Sequence, residues 1–431
     1  MSVPLDRLYN FLRDIVNHDI TIYRFWPHGS KKLEDLWPLV PIISWVKEMT
    51  RPHVIFHDQE PLNFYYWTLN DFARRWEKTV IDHELTSSHL ENNYVDYQIS
   101  LHLKGLVYDN LYDYVLLVHS EKNSKEIDVY FQHGFLPVYY WAHAVIAADW
   151  FRYAVHDPVL QYNAAAFAQD FLIYNRAWSG TREYRLAFVD RLVQAGLTKN
   201  CRTSFAPEDA GVHYNQHVFA NPDLKIDSTN LETVLPSNTH LSDSSADYNN
   251  QDYAQTGMEI VLETLFDDDR WHLTEKSLRP IACGKPFVLV ATAGSLEYLR
   301  SYGFETFGNF INESYDLETD PVARLNAVIQ EMSRISALST ADKIVLWDQL
   351  HKIAARNKQR FFSAEWQTSV VQEYIDNINQ ALITVNQHCT GKHWEQTRNL
   401  NCAHNIKHRR SQEENDQVRA YLKSKQNSIP I

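Results

Sequence analysis

Apolar residues in the first third of the chain fall into short runs separated by polar connectors. Ile20-Thr-Ile-Tyr-Arg-Phe25, Val54-Ile-Phe-His57 and Tyr114-Val-Leu-Leu-Val-His119 have the length and the β-branched or aromatic content of buried strands. Each ends in polar residues. In an open α/β sheet the carboxyl ends of the strands line a crevice, so His57-Asp58-Gln59-Glu60 and His119-Ser120-Glu121 are expected at its rim. A second series begins with Phe171-Leu-Ile-Tyr174 and continues with helical spacing at Tyr184, Leu186, Phe188, Val189, Leu192 and Val193, stopped at Gly196. The Ser-, Asn-, Asp- and Thr-rich stretch from Asn221 to Gln255 predicts a surface loop or lid. Met258 to Phe266 reads as helical, and Gly294 to Gly303 as a short helix ending in glycine. Long helices are expected from Pro321 to about Val385, among them Val322 to Ile335 and Ala341 to Ala355.

This alternation predicts an α/β protein with a helical block toward its C-terminal end. A chain of 431 residues exceeds one ordinary core, and the expected division is 1–165, an N-terminal α/β domain; 166–355, a second α/β domain; and 356–431, helices and a basic tail. A hydrophobic fraction of 44% suffices for two packed interiors, and an aromatic fraction of 13% adds flat faces on which sugars or bases can stack. There is no charged-then-apolar leader and no uninterrupted apolar run of about 18 residues, so neither secretion nor a membrane span is expected. Four cysteines in so long a chain make no disulfide framework, which points to a reducing cytoplasm. A formal charge of −13 argues against nonspecific coating of nucleic acid, although residues Lys392 to Lys425 are locally basic.

The densest candidate chemistry lies in Trp271-His-Leu-Thr-Glu-Lys-Ser-Leu-Arg-Pro-Ile-Ala-Cys-Gly-Lys-Pro-Phe-Val-Leu-Val290, which reads as a helix start, a Gly-Lys-Pro turn and a buried strand. With Thr274 as N-cap, the backbone N–H groups of the first turn would stand beside Lys276 and suit a diphosphate, while Glu275 could accept from the hydroxyls of a ribose. The plainer alternative is a capped amphipathic helix with Glu275, Lys276 and Arg279 in water.

Asn175 and Arg176 end a strand, with Arg182 and Arg185 at the next helix start. Guanidinium groups converging there suit a diphosphate, because they offer two-pronged hydrogen bonds and keep their charge. Glu60, and after it Asp58, are candidate general bases at a strand end stopped by Pro61; a capping role is the alternative for Asp58. The aromatic segment Tyr139 to Tyr153 carries Trp141, His143, Asp149 and Arg152, which could line an acceptor site or form a core helix. Asp267-Asp-Asp269 has a metal-binding spacing but reads better as a charged helix end, so no metal is expected. Cys389, His393, Cys402, His404 and His408 match no familiar zinc pattern and read as a solvated tail. Dinucleotide, P-loop, HExxH and GxSxG signatures are absent.

Leu273-Thr-Glu-Lys-Ser-Leu-Arg-Pro-Ile-Ala-Cys-Gly-Lys-Pro-Phe287 resembles the donor-binding signature of the α-1,3-fucosyltransferase family, whose Glu holds the ribose and whose Lys holds the phosphates. The resemblance implies those roles for Glu275 and Lys276. Gln59-Glu-Pro61 is similar to the family's Glu-Ser-Pro and singles out Glu60 over Asp58. The family's pyrophosphate-binding arginine falls on Arg176 or Arg182. These three islands imply a GT-B-like fold, with two Rossmann-like domains facing a cleft, the acceptor on the N-terminal side and the nucleotide sugar on the other. Together with His-Ser-Glu and Trp-Ala-His they also resemble glycosyltransferase-like proteins of tailed bacteriophages, some of which decorate hydroxymethylated bases of their own DNA.

The expectation is therefore an inverting, metal-independent glycosyltransferase that needs no cofactor beyond its nucleotide-sugar co-substrate. A modified base of phage DNA is favoured over a surface or lipid-linked glycan as acceptor. The basic residues Lys407, His408, Arg409 and Arg410 would contact the phosphate backbone, and aromatics near Trp141 would hold an extruded base. A noncatalytic nucleotide- or sugar-binding protein is the alternative.

Overall fold

The computed structural model describes residues 11–12, 14–16, 21–24, 53–59, 61–63, 115–132, 135–149, 151, 160–227, 231 and 246–389. The chain divides into two compact units, one formed by Pro4–Ala142 with Gln372–Ile431 and the other by His143–Val371 with Met1–Val3. Position 355 lies inside one continuous helix, Thr340–Phe362, whose unbroken backbone hydrogen bonds leave no linker there.

In the first unit, β1 (Thr21–Arg24), β2 (His53–Phe56), β3 (Val115–His119) and β4 (Phe135–Tyr139) form a parallel sheet in the order β1-β2-β3-β4. Helix α1 (Lys125–Gln132) connects β3 to β4. Leu116, Leu117 and Val118 are buried in succession, so β3 is covered on both faces, as its continuous apolar run requires. Phe56 and Tyr140 pack against Tyr374, with ring centroids 6.3 and 5.2 Å away.

In the second unit, β5 (Gln169–Asn175), β6 (Cys201–Phe205), β9 (Thr256–Leu262) and β10 (Phe287–Val290) form a parallel sheet in the order β10-β9-β5-β6. A short antiparallel hairpin, β7 (Glu208–Asp209) with β8 (Val212–His213), follows β6. The chain winds from β5 outward to β6, then returns to the other side of β5 as β9. Parallel sheets that reverse in this way carry a crevice at the carboxyl ends of the two strands flanking the reversal, here β5 and β9.

Around this sheet lie α2 (Ala142–Asp149), α3 (Tyr184–Gln194), α4 (Asn250–Gln255), α5 (Glu275–Cys283), α6 (Ser295–Ser301), α7 (Pro321–Ser336) and α8 (Thr340–Phe362). Ala142, the first residue of α2, belongs to the first unit. A final helix, α9 (Ala364–Cys389), contains the 371/372 division.

The helix expected over Met258 to Phe266 is instead β9. All seven of its residues are buried, and Gly257 lets the strand approach α8 so closely that a Cβ there would lie 2.6 Å from the Trp347 indole. The one charge in this strand, Glu259, is matched by Arg279, which pairs with it in the interior beside the Tyr253 hydroxyl. In the polar stretch expected to be a loop, 250–255 form α4, while 228–230 and 232–245 lie outside the described residues. The helices expected after Pro321 are present as α7 and α8.

Candidate functional site

The segment with the densest chemistry folds locally as its residues dictate. Thr274 caps α5, its hydroxyl accepting from Lys276 N at 3.3 Å, and Gly284 ends the helix in the left-handed conformation at φ 65°. The first-turn N–H groups have a different partner from the one expected. The buried Glu263 carboxylate, one residue beyond β9, accepts from Thr274 N at 3.0 Å and Ser277 N at 3.2 Å, and from both of their hydroxyls at 2.7 and 2.5 Å. Burial works against that charge. Lys276 and the hydrogen bonds outweigh it and hold the carboxyl below its usual range. Part of the positive end of α5 is therefore already neutralised by the protein, and an incoming anion must rely on side-chain cations.

Lys276 supplies one. Its Nζ donates to Thr264 Oγ1 and Thr274 Oγ1 at 3.2 Å each and pairs with Glu275 Oε1 at 3.1 Å. Glu275 Oε2 is paired with His143 Nδ1 at 3.0 Å, and the His143 ring packs edge-on to that of His272, with centroids 5.1 Å apart. Burial disfavours the His143 cation, but the hydrogen bond and charge of Glu275 prevail, and its pKa is raised. Glu275 and Lys276 keep 18% and 16% of their side chains exposed, so both stay within reach of a ligand.

Arg176 follows β5 directly and is exposed. Its loop is fixed by Asp209 of the hairpin, whose carboxylate accepts from Trp178 N at 2.8 Å and Ser179 N at 2.6 Å, while Trp178 Nε1 donates to Ala206 O. Burial opposes the Asp209 charge, yet these N–H groups and Arg182 keep its carboxyl below the ordinary value. Arg182 is half-buried in the same loop. Arg185 is buried and donates to the carbonyls of Ala177, Leu262 and Glu263, tying the loop after β5 to the end of β9.

Arg279 is corrected from a donor-binding residue to a core residue. Its guanidinium is buried, paired with Glu259 and 4.9 Å from the Tyr174 ring centroid, so it has no face to offer a ligand. Trp141 is fully buried and presents no stacking surface. His143, expected on the acceptor side, pairs with Glu275 instead.

In the first unit Asp58, the second candidate base, is buried and accepts the Tyr140 hydroxyl at 2.5 Å. Leu62 N donates to the buried Glu121 carboxylate at 2.6 Å, so Asp58 and Leu62, on either side of the Glu60 position, are both tied to neighbouring strand ends. Glu60 itself, Arg152, the side chains of Asp149 and Cys389, and residues His393, Cys402, His404, Lys407, His408, Arg409 and Arg410 lie outside the described residues.

No protein-family model, curated protein or solved structure matches the chain. The functional reading therefore rests on geometry and residue chemistry. Sequence reasoning missed Glu263 and Asp209, and it grouped Arg185 with the diphosphate-binding arginines where the structure commits it to the carbonyls of Ala177, Leu262 and Glu263. Glu263 was hidden by reading Met258 to Phe266 as a helix, whereas it directly follows a strand.

Asp267 accepts from Asn221 Nδ2 at 2.6 Å and Asp268 pairs with Arg270. Among the described residues no helix is long and apolar enough to cross a membrane.

Proposed function

We propose that the protein is a nucleotide-sugar-dependent glycosyltransferase of GT-B type, holding its donor at the carboxyl ends of β5 and β9. One observation carries the reading: the strand-order reversal brings Arg176, at the end of β5, to the same edge as Thr264, Glu275 and Lys276, which follow β9. Two cations and a carboxylate at that edge match a diphosphate and a vicinal diol. The resemblance of Leu273 to Phe287 to a fucosyltransferase donor signature supports the same roles for Glu275 and Lys276.

In the proposed reaction, the Glu60 carboxylate takes the proton of an acceptor hydroxyl. The acceptor oxygen forms a bond to the anomeric carbon from the face opposite the nucleotide, and the carbon–oxygen bond to the diphosphate breaks with inversion. Arg176 and Lys276, with Arg182 from the same clamped loop, stabilise the charge that collects on the departing diphosphate, a role that requires no metal. For the acceptor, the basic residues from Lys392 onward favour a hydroxymethylated base of DNA over a glycan. The buried Trp141 lends this choice no support.

A noncatalytic nucleotide-binding protein remains the second reading, favoured by the commitment of Asp58 to Tyr140, which leaves turnover dependent on Glu60. The Glu60→Gln variant separates the two. Transfer by the unmodified protein to hydroxymethylated DNA or to a glycan, lost in the variant while nucleotide-sugar binding persists, supports the enzyme. Binding without transfer to either acceptor supports the second reading.

A further inference from the structure

Glu275 is held from two sides, by Lys276 Nζ on Oε1 at 3.1 Å and by His143 Nδ1 on Oε2 at 3.0 Å. A glutamate loses substantial rotamer freedom when it is fixed against a ligand, so a carboxylate oriented beforehand binds at lower entropic cost. We propose that His143 is a positioning residue for the nucleotide-sugar site, locking the Glu275 carboxylate in the orientation that accepts a pair of ligand hydroxyls. The proposal rests on the donor reading above and assigns His143 to the donor rather than the acceptor.

A carboxylate offers about four acceptor directions, and the Glu275 side chain keeps 18% of its surface exposed, where ligand hydroxyls can reach it. The surroundings explain why a histidine suits this position. It faces Glu275 and Lys276 of α5, Glu263 after β9, and His272 of the segment leading into α5. With His143 protonated, the two carboxylates are balanced by two cations. Loss of its proton leaves the group with an excess negative charge that opposes a diphosphate. Burial alone would favour that loss, but the pairing with Glu275 prevails and raises the His143 pKa.

The sign follows directly. A histidine whose folded pKa is raised keeps its ion pair below the ordinary value, and the pair weakens as pH rises through the folded value. Donor binding should weaken over the same interval. Neutral substitution should remove that dependence, since His143→Asn can donate one hydrogen bond to Glu275 but carries no charge.

The test is calorimetric titration of the full chain with UDP and with GDP from about pH 5 to about pH 9, which spans the ordinary histidine range and the region above it. Unmodified protein, His143→Asn and Lys276→Ala are compared, and each variant's melting temperature confirms folding. Protonation of the nucleotide itself is common to all three and cancels. The expected result is an affinity that falls roughly tenfold with rising pH in the unmodified protein, equivalent to one pKa unit of coupling, and a flat profile in His143→Asn at the weaker level.

A His143→Asn profile that parallels the unmodified one, with binding still sensitive to Lys276→Ala, overturns the role of His143 and leaves the donor site standing. Binding that is indifferent to Lys276→Ala, or absent for both nucleotides, overturns the donor site and this role with it.

Discussion

The two four-stranded parallel sheets differ in one topological respect. The first keeps its described strands in chain order, whereas the second reverses between β5 and β9. A sheet that winds in one direction has no switch point among those strands. The polar groups at its carboxyl ends are drawn into structure, with Asp58 holding Tyr140 and Glu121 holding the backbone at Leu62. At the reversal in the second sheet, some groups are drawn in likewise, Glu263 by the start of α5 and Arg185 by strand-end carbonyls. Arg176, Glu275 and Lys276 stay partly open. The described polar groups at the first edge serve structure, while the second edge keeps Arg176, Glu275 and Lys276 partly exposed beside the reversal.

The largest expected effect is in the interior of the second unit. Arg279→Leu strands the Glu259 carboxylate in a dry site and should destabilise by about 3–5 kcal/mol, read as a lowered denaturant midpoint. A variant as stable as the parent would return Arg279 to the ligand-facing group.

Glu263→Ala comes next. It removes the acceptor shared by three backbone N–H groups and two hydroxyls and should cost about 2–4 kcal/mol, since a single buried unsatisfied donor costs about 1–3 kcal/mol. A carboxyl held below its ordinary value contributes stability above its unfolded pKa of about 4.3 and loses it as pH falls through the lower folded value. The parent should therefore lose stability on acidification by more than Glu263→Ala does. Equal acid sensitivity would remove Glu263 from that role.

In the first unit, Tyr140→Phe deprives Asp58 of its hydroxyl donor and should cost about 1–3 kcal/mol without changing nucleotide affinity. A change in affinity would erase the contrast between the two edges.

The smallest effect on stability belongs to Arg176→Ala, within about 0.5 kcal/mol for an exposed residue. Its nucleotide affinity should nonetheless fall by about tenfold or more, the scale of losing a charge-assisted hydrogen bond worth about 1.5–3 kcal/mol.

Features written in neighbouring residues were legible from sequence. Thr274 as cap, Gly284 as stop and the strand after Lys285 each depend on a few adjacent positions. Features that need a distant partner were not. Arg279 resembles a solvated helix residue until Glu259 is placed opposite it. Glu259 in turn made β9 look amphipathic, and with Gly257 disguised a strand as a helix. His143 meets Glu275 only through the fold, so an aromatic-rich segment suggested an acceptor surface where the structure supplies an ion pair with Glu275 and a buried Trp141. The reversal of strand order is a property of the assembled sheet and has no local signature.

A crystal structure of the full chain with a nucleoside diphosphate tests the central claim most directly. The account predicts phosphates at the carboxyl ends of β5 and β9, against Arg176 and Lys276, with the ribose hydroxyls on Glu275. Phosphates bound at the carboxyl ends of the first sheet instead, or no bound nucleotide at saturating concentration, would contradict it.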